Sequence, residues 1–419
     1  MKKYLQVLAL LLFGGVVGFF LGTNQVNVAW RQYKPIVNIE NKTPPPGVTV
    51  DLYLFWDVWE RLSRSYVDKK AFDPQKMLHG AISGMVESLG DPYTVFLPPE
   101  QNKQIKQELA GNFEGIGAQL GIKDKRIVVI TPLSDSPAQK AGIKTGDAIL
   151  EVDGVDTNKW SLYEAVAKIR GERGTTVTLT ILHEGGDKPV KISIVRETIH
   201  VKSVEGKVEK WKMENGKWKI DDACQDCSSV AYIRLSQFGD DTNSEWAITV
   251  NNVVGKIKQD PQKVRGLVLD LRNNSGGYLN GAVFIASEFI PNGTVVIQEK
   301  ADGSRNNFAV NRKGLLTDIP LVVLVNKGSA SASEIVAGAL RDNKRVKLVG
   351  EASFGKGTIQ EAQELGGGAG LHVTVAKWLT PKGEWVNSKG LEPDIKVELN
   401  QDDPTRDLQL EKAVEELLK

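Results

Sequence analysis

The chain has 419 residues, of which 41% are apolar, so it is long enough for more than one folded domain around a sizeable core. Its 53 lysines and arginines against 52 aspartates and glutamates leave a net charge of +1, and no basic tract is interleaved with aromatic residues. This composition argues against a nucleic-acid-binding protein, and neither RNA nor DNA is an expected partner.

The first segment is typical of a membrane anchor. Lys2 and Lys3 precede an apolar run over residues 4–21, which is about the length that crosses a bilayer. The two lysines are expected to stay on the cytoplasmic side. No small-x-small cleavage site follows the run closely, so we expect an uncleaved single-pass anchor over residues 1–22. The rest of the chain would then lie outside the cytoplasm.

Residues 23–50 are polar and contain three consecutive prolines, so they are predicted to form a linker. Two amphipathic helices are predicted after it, over residues 51–66 and 74–89, because each places apolar side chains along one face. They form most of an N-terminal helical region that we assign to residues 51–110.

A loop-and-strand pattern fills residues 111–198. The run G-N-F-E-G-I-G-A-Q-L-G-I begins at Gly111, and A-G-I-K-T-G-D-A-I-L-E-V-D-G ends at Gly154. The pattern resembles a PDZ domain, in which a peptide adds to a sheet edge and free N–H groups bind its terminal carboxylate. The resemblance implies that the carboxylate-binding loop consists of Gly115, Ile116, Gly117 and Ala118.

The peptide groove of this module is predicted to lie beside a helix over residues 162–170, which closing strands over 175–182 and 190–195 follow. Arg170, at the end of the helix, is expected to sense the carboxylate or to contact the next domain. An exposed arginine with a structural role is the alternative. Many PDZ domains only tether or scaffold other proteins, so the module alone does not decide the function.

A polar insert over residues 203–229 holds the only two cysteines, Cys224 and Cys227. A lone C-x-x-C supplies at most half of a zinc site, and no thioredoxin-like unit surrounds it. Outside the cytoplasm a local disulfide is expected instead. We predict that the insert forms a hairpin-like flap over the cleft of the following domain.

Residues 199–419 alternate predicted strands and helices, a pattern that favours a layered sheet with helices. Strands are predicted over residues 230–235, 267–271, 321–325 and 346–349. Helices are predicted over residues 244–258, 279–289 and 331–341. Between the second strand and its helix lies a polar turn with two adjacent glycines, Gly276 and Gly277.

The run V-N-K-G-S-A-S-A-S-E-I follows the apolar strand over residues 321–325 and carries three alternating serines. A side chain here projects from the carboxyl end of a buried strand. Ser331 is placed on the first turn of a helix, where backbone amides and the helix dipole can stabilise an oxyanion. Ser329 and Ser333 are interpreted as capping and packing residues, because serine at a helix start usually has that role.

A single lysine, Lys356, stands between Gly355 and Gly357 in the run F-G-K-G-T-I-Q. A serine hydroxyl needs a neighbouring base, and a lysine serves as one when partial burial lowers its pKa. A solvated surface lysine is the alternative. The preceding glycines nearly match a phosphate-binding P-loop, but Gly357 occupies the metal-binding serine or threonine position, and strands are predicted where a helix is required.

Histidine offers a rival base, and the chain has four histidines: His79, His183, His200 and His372. Only His372 lies in a strand of the domain that contains Ser331, and we predict that it is satisfied or exposed. No H-x-x-x-H or H-E-x-x-H spacing is present, so no metal is expected. No other cofactor is expected either.

The runs G-S-A-S-A-S-E-I-V-A-G-A-L-R-D and V-G-E-A-S-F-G-K-G-T-I-Q resemble the signature of the C-terminal processing peptidases, a family of envelope serine proteases with a serine–lysine dyad. The resemblance implies Ser331 as nucleophile and Lys356, twenty-five positions later, as base. Gln360 is carried over as the group that orients the lysine amine. The implied fold is mixed α/β, with a crotonase-like layered protease core, an inserted PDZ domain and N-terminal helices. The single transmembrane anchor predicted above from the apolar run is added to this fold and is not part of the resemblance.

An oxyanion hole needs two N–H donors, and Ala332, directly after the nucleophile, is predicted to be one. In the family the L-R-x-N-x-G-G turn lies beside the nucleophile, which implies Gly277 as the second donor and Gly276 as the near alternative. An ordinary tight turn would also explain these glycines. Residues 78–100 match the family's leader region and imply homodimer contacts by analogy.

These observations predict a membrane-anchored serine endopeptidase that binds the apolar C-terminal tails of extracytoplasmic proteins and cuts them nearby, without metal or nucleotide. Two alternatives remain, a catalytically inactive PDZ scaffold and a crotonase-type acyl-CoA enzyme. Intact Ser331, Lys356 and Gln360 argue against the scaffold. The anchor and the peptide-binding module argue against the acyl-CoA enzyme.

Overall fold

The computed structural model describes residues 50–123, 126–133, 135–214, 216–221, 223–400, 403 and 406–419, together with the backbone of 26–31 and 34–39. The chain divides into two compact units, Met1–Leu78 and His79–Lys419. The predicted anchor over residues 4–21 lies outside the described residues. Within the described ranges, no helix has the length and apolar character needed to cross a bilayer.

The first unit contains an antiparallel ribbon of β1 (Val26–Arg31) and β2 (Lys34–Ile39). Part of the predicted linker is therefore paired backbone, and the alternation of apolar and polar residues in V-N-V-A-W-R was the missed signal. The predicted helices are confirmed as α1 (Tyr53–Ser65) and α2 (Pro74–Glu87), with a 3₁₀ turn (Lys69–Ala71) between them. Helix α1 buries none of its residues.

The second unit contains an antiparallel module that the chain enters and leaves through two paired strands. Strand β3 (Val95–Leu97) and helix α3 (Pro99–Leu109) precede β4 (Asn112–Gly115), which pairs with β11 (Glu197–His200). Between β4 and β11 lies a six-stranded sheet of β5 (Ala118–Lys123), β6 (Arg126–Pro132), β7 (Ala148–Val152), β8 (Val155–Asp156), β9 (Thr176–Leu182) and β10 (Val190–Val195). The strand order is β10-β9-β7-β6-β5, with β8 on β7, so β5 is an edge strand.

Two helices complete this module, α4 (Pro137–Lys140) and α5 (Leu162–Ile169). Helix α5 begins at a capping box in which the Ser161 and Glu164 side chains bond each other's backbone N–H. Its buried residues Ala165 and Ile169 join the core of the module with Ile116. The predicted groove helix and closing strands are thus present.

The larger part of the second unit is built on a seven-stranded sheet of order β13-β12-β14-β15-β18-β19-β22. Its strands are β12 (Val204–Glu214), β13 (Lys217–Ile220), β14 (Ser228–Leu235), β15 (Val264–Asp270), β18 (Leu321–Val325), β19 (Lys347–Gly350) and β22 (Ile395–Lys396). The last five are parallel. The intervening helices are α6 (Thr242–Gln259), α7 (Leu279–Ala286) and α8 (Ala332–Asp342), close to the predicted ranges.

A second sheet of order β17-β16-β21-β20, with β3 also paired to β21, lies in the same unit. Its remaining strands are β16 (Thr294–Lys300), β17 (Arg305–Ala309), β20 (Thr358–Glu364) and β21 (Gly370–Leu379), and a 3₁₀ turn (Gly366–Gly368) joins the last two. Trp246, Phe289 and Trp378 are fully buried in the main core. A C-terminal helix, α9 (Leu408–Leu418), packs on the other face of the seven-stranded sheet and was not predicted.

The polar insert forms the hairpin β12–β13, and Cys224 and Cys227 are joined by the expected disulfide. The predicted flap is wrong. Strand β12 pairs along β14 as part of the main sheet, and Trp211, only 5% exposed, belongs to the same apolar cluster as Val414 of α9. In the hairpin, tryptophans alternate with lysines, so the tryptophans lie on one face of the strands and the lysines on the other. Only the tryptophan face needs to be buried, which suits the edge of the sheet.

Candidate active site

Ser331 stands at the turn from β18 into α8. Its φ of +54° is a left-handed value that non-glycine residues seldom adopt, and such strain is concentrated at functional sites. The Ser331 N–H donates to the Glu334 carboxylate at 2.8 Å. Its side chain lines a cavity of about 350 Å³, which we call the Ser331 cavity.

The two neighbouring serines are structural, as predicted. The Ser329 hydroxyl is buried, donates to the Leu271 carbonyl at 2.8 Å and accepts the Asn326 N–H at 3.0 Å. The buried Ser333 hydroxyl donates to the Asn274 carbonyl at 2.8 Å. Both serines therefore fasten the start of α8 to the turn after β15.

Lys356 lines the same cavity, and the glycines on either side of it allow a close approach of the backbone. A Cβ on Gly355 would lie 2.7 Å from the Gly390 nitrogen, and one on Gly357 would lie 2.6 Å from the Trp385 ring nitrogen. Burial lowers the pKa of the Lys356 amine, against the opposing charges of Asp91 and Glu334. Burial therefore shifts the amine towards the neutral form that a general base requires.

Ser331 and Lys356 share this cavity, but no hydrogen bond joins their side chains in this structure. The Lys356 amine lies 5.0 Å from the centre of the Tyr93 ring. Gln360, expected to orient the amine, also lines the cavity but donates to the hydroxyls of Thr358 and Thr374 at 2.9 and 3.0 Å. In this conformation the Gln360 amide therefore donates to these threonines and does not orient the Lys356 amine.

The glycine turn after β15 packs directly on the serine. A Cβ on Gly276 would lie 2.8 Å from the Ser331 Cβ and 3.0 Å from the Ala332 nitrogen. The Gly276 N–H donates to the Asn274 side chain at 2.9 Å, so it is already used inside the turn. The N–H groups of Gly277 and Ala332 meet no acceptor in the described ranges, and both residues line the Ser331 cavity. Gly277 is thus a better second donor than Gly276.

The predicted carboxylate loop runs from β4 into the edge strand β5. Gly117 has a φ of +73° and packs so closely on Ser136 that an added Cβ would lie 2.5 Å from the serine Cβ. No described residue accepts a hydrogen bond from the N–H of Ile116 or of Gly117. The Arg170 guanidinium lies 4.8 Å from the centre of the Phe113 ring, on the entry strand β4. Arg170 therefore contacts the connection between the module and the larger domain.

Comparison with known proteins decides the family. Residues 229–397 match peptidase family S41, residues 104–182 match the PDZ domain, and residues 15–101 match the N-terminal domain of the activating protease CtpB. The carboxy-terminal processing protease CtpA of Bacillus subtilis strain 168 is 37% identical over 342 residues, which cover 81% of this chain and 68% of that protein. The chain belongs to the carboxy-terminal processing proteases of peptidase family S41.

CtpB, a second processing protease of the same organism, is 34% identical over 401 residues, which cover 94% of this chain and 78% of that protein. A crystal structure of a putative S41 protease from Bacteroides fragilis shares the fold, with a TM-score of 0.53 at 16% identity, covering 84% of this chain and 92% of that one. The protein is therefore a carboxy-terminal processing serine protease with a PDZ domain and a mixed α/β fold, as predicted.

In this processing protease, sequence reasoning missed Glu334. Its fully buried carboxylate accepts four hydrogen bonds, from the N–H groups of Ser331, Gly355 and Lys356 and from the Ser353 hydroxyl, at 2.6 to 2.9 Å. One carboxylate thus ties the backbone of the serine turn to the backbone of the lysine turn. The S-x-x-E spacing from Ser331 to Glu334 is a capping-box pattern and was an available signal.

His372 was predicted to be satisfied or exposed, but the structure places it on the wall of the Ser331 cavity. Burial and, secondarily, the charge of Lys356 lower the pKa of its imidazole, while Glu364 opposes them. These effects favour the neutral imidazole. Within the described ranges, no three His, Cys, Asp or Glu side chains are grouped closely enough to hold a metal ion.

Proposed function

We propose that this processing protease cleaves peptide bonds with Ser331 as nucleophile and Lys356 as general base. The observation that carries the proposal is that both side chains line one cavity in which burial lowers the pKa of the lysine. The strained backbone of Ser331 and the close approach of the glycine turn support it. Gln360 lines the same cavity and supplies a polar wall close to the lysine.

The reaction follows from this arrangement. The Ser331 hydroxyl attacks the scissile carbonyl while its proton passes to the neutral Lys356 amine. The N–H groups of Gly277 and Ala332 stabilise the oxyanion. Lys356 then gives its proton to the leaving amine, which frees the new N-terminus and leaves an acyl-enzyme on Ser331. Water, deprotonated by Lys356, hydrolyses this ester and regenerates the serine.

The test compares cleavage of an unfolded protein with an apolar C-terminus by the wild type, Ser331→Ala and Lys356→Ala. A matched control is Lys389→Ala, because Lys389 is exposed on a neighbouring turn. We expect both active-site variants to lose cleavage and the control to keep it. Equal cleavage by all four proteins would refute the dyad.

We also propose that the PDZ domain selects substrates by their apolar C-terminal tails. The free edge of β5 and the unused N–H groups of Ile116 and Gly117 support this role. Peptides with a free carboxylate should bind and be cleaved more efficiently than the same peptides with a C-terminal amide. Equal affinity for the two forms would exclude carboxylate recognition by this loop.

The anchor over residues 4–21 belongs to the same proposal and places the protease outside the cytoplasm, attached to the cell membrane. The disulfide between Cys224 and Cys227 supports this location, because such bonds persist in oxidising compartments. The protein should remain in the membrane fraction and be digested by protease added from outside the cytoplasm. Recovery in the cytosolic fraction would contradict it.

A homodimer through the leader region is the last part of the proposal. Apolar side chains in this region support it, since Leu78 and Met85 of α2 and Leu89 just after it are between 43% and 69% exposed. Sedimentation of the chain from residue 23 onwards should show a dimer that Met85→Glu dissociates. A monomer at all concentrations would contradict this arrangement.

A further inference from the structure

The surroundings of the Lys356 amine are unusual for a lysine. In the part of the chain that the structure describes, the amine has no hydrogen bond and no ion pair. Its contact is the face of the Tyr93 ring, with 5.0 Å between the nitrogen and the ring centre. At that distance an ammonium is attracted by the ring quadrupole. Tyr93 therefore interacts more favourably with the charged amine than with the neutral one.

The loop that carries Tyr93 is fixed by hydrogen bonds. The Asp91 carboxylate accepts the Tyr93 N–H at 3.1 Å and the Thr94 hydroxyl at 2.6 Å. The buried Thr94 oxygen in turn accepts the Thr374 N–H of β21 at 3.1 Å. Directly after the loop, β3 pairs with β21. The ring is thus held by the same strand that forms a wall of the active site.

Thr374 also connects this loop to Gln360, whose amide donates to the Thr374 hydroxyl at 3.0 Å. Although burial opposes it, hydrogen bonds from Thr374 and Thr94 keep the pKa of Asp91 below its usual range, so its carboxylate is charged. Burial, together with the charges of Glu334 and Asp91, raises the pKa of the Tyr93 phenol, so the ring is neutral.

We propose that Tyr93 is a positioning residue for the catalytic lysine, and that Asp91 acts with it. The Tyr93 ring holds the Lys356 amine at the Ser331 cavity, and the ring and the negative charge of Asp91 stabilise the ammonium that forms when Ser331 gives up its proton. This inference rests on the proposed roles of Ser331 and Lys356. The other ionisable groups around the amine are Glu334 and His372, and Glu108 also lines the cavity.

The experiment measures kcat and KM against pH for the full chain and its variants, with one peptide substrate. In Tyr93→Leu the ammonium loses the ring, so the acid limb of kcat/KM should move to lower pH by about half to one unit. The value of kcat should fall while KM stays near that of the wild type. Tyr93→Phe keeps the ring and should restore the wild-type position of the limb.

A second variant, Asp91→Asn, removes the charge and keeps one side-chain oxygen that can accept the Tyr93 N–H, and it provides an independent arm if the leucine variant does not fold. Its acid limb should also move to lower pH. The proposal would be overturned if the acid limb of kcat/KM in Tyr93→Leu or in Asp91→Asn stayed at its wild-type pH. It would also be overturned if the acid limb of Tyr93→Phe moved as far as that of Tyr93→Leu. Activity that persists in Ser331→Ala would instead refute the underlying dyad.

Discussion

At the scale of single residues, the site depends on one buried carboxylate as much as on the serine and the lysine. Glu334 accepts hydrogen bonds from the N–H groups of Ser331 and Lys356 at 2.8 and 2.9 Å, so the backbones of the two proposed catalytic residues are held by the same group. The positive φ of Ser331 persists because its surroundings hold it there. A charged acceptor in a fully buried position makes these hydrogen bonds stronger than neutral ones.

Replacing Glu334 with glutamine should therefore weaken both the turn at Ser331 and the turn at Lys356. The side-chain nitrogen of glutamine cannot accept a hydrogen bond, so some of the groups that donate to the carboxylate lose their acceptor. We expect the free energy of unfolding to fall by about 3 kcal/mol. The value of kcat/KM should fall by about a hundredfold as the catalytic groups shift. Glu361→Gln, on the exposed part of β20, is the matched control and should leave both quantities unchanged. Wild-type activity in Glu334→Gln would show that the carboxylate does not position the site.

At the scale of secondary structure, the site forms where two parallel strands end side by side. Strands β15 and β18 pair in register, from Leu267 with Leu321 to Asp270 with Leu324, so the glycine turn and the serine turn follow from neighbouring strand ends. The backbone of Phe238 bonds the glycine turn from the far side, donating to the Gly276 carbonyl and accepting the Tyr278 N–H, both at 2.9 Å. Gly277, the proposed second oxyanion donor, is thus held between two elements.

Gly277→Ala tests this arrangement. Gly277 has a φ of +136°, and an added Cβ would lie 2.1 Å from the Phe238 carbonyl oxygen, so the turn must move. If the Gly277 N–H stabilises the oxyanion, kcat should fall by about a hundredfold or more. Gly303→Ala is the control, because Gly303 also has a positive φ but open space around it. A kcat in Gly277→Ala equal to that of the control would remove Gly277 from the oxyanion hole.

The disulfide hairpin offers a second test at this scale. The hairpin β12–β13 packs with Trp211 beneath the C-terminal helix, and none of its described residues lines the Ser331 cavity. Replacing Cys224 and Cys227 with serine should lower the free energy of unfolding by about 2 kcal/mol at most, because the closed loop is short. The value of kcat/KM should not change. A large loss of activity at unchanged stability would instead support the hypothesis that the hairpin acts as a flap over the active-site cleft.

At the scale of the whole molecule, what the sequence predicts depends on how far apart the interacting residues lie. The serine turn was predictable because strand β18, Ser331 and helix α8 are contiguous. The contact between Tyr93 and Lys356 was not, since it requires β3 to pair with β21, more than 270 residues later in the chain. Helix α9 was missed because its burial depends on the far face of a sheet that forms earlier in the chain.

The order of the chain also explains how the PDZ domain is attached. The paired strands β4 and β11 are its entry and exit, and Arg170 contacts Phe113 on the entry strand. Just before β4, the carbonyl of Leu109 accepts the Asp240 N–H at 2.9 Å. The module is thus inserted at a point that touches the loop behind the oxyanion turn. Motif spacing identified the two parts, and only the tertiary structure shows where they join.

The most direct measurement is the rate at which a fluorophosphonate labels Ser331 as a function of pH. Lys356 must be neutral to accept the serine proton, so the rate in the wild type should rise with pH through a midpoint below the ordinary lysine value of about 10.4. In Lys356→Ala this rise should disappear and labelling should almost cease. Labelling of Lys356→Ala at the wild-type rate, with the same dependence on pH, would contradict the account.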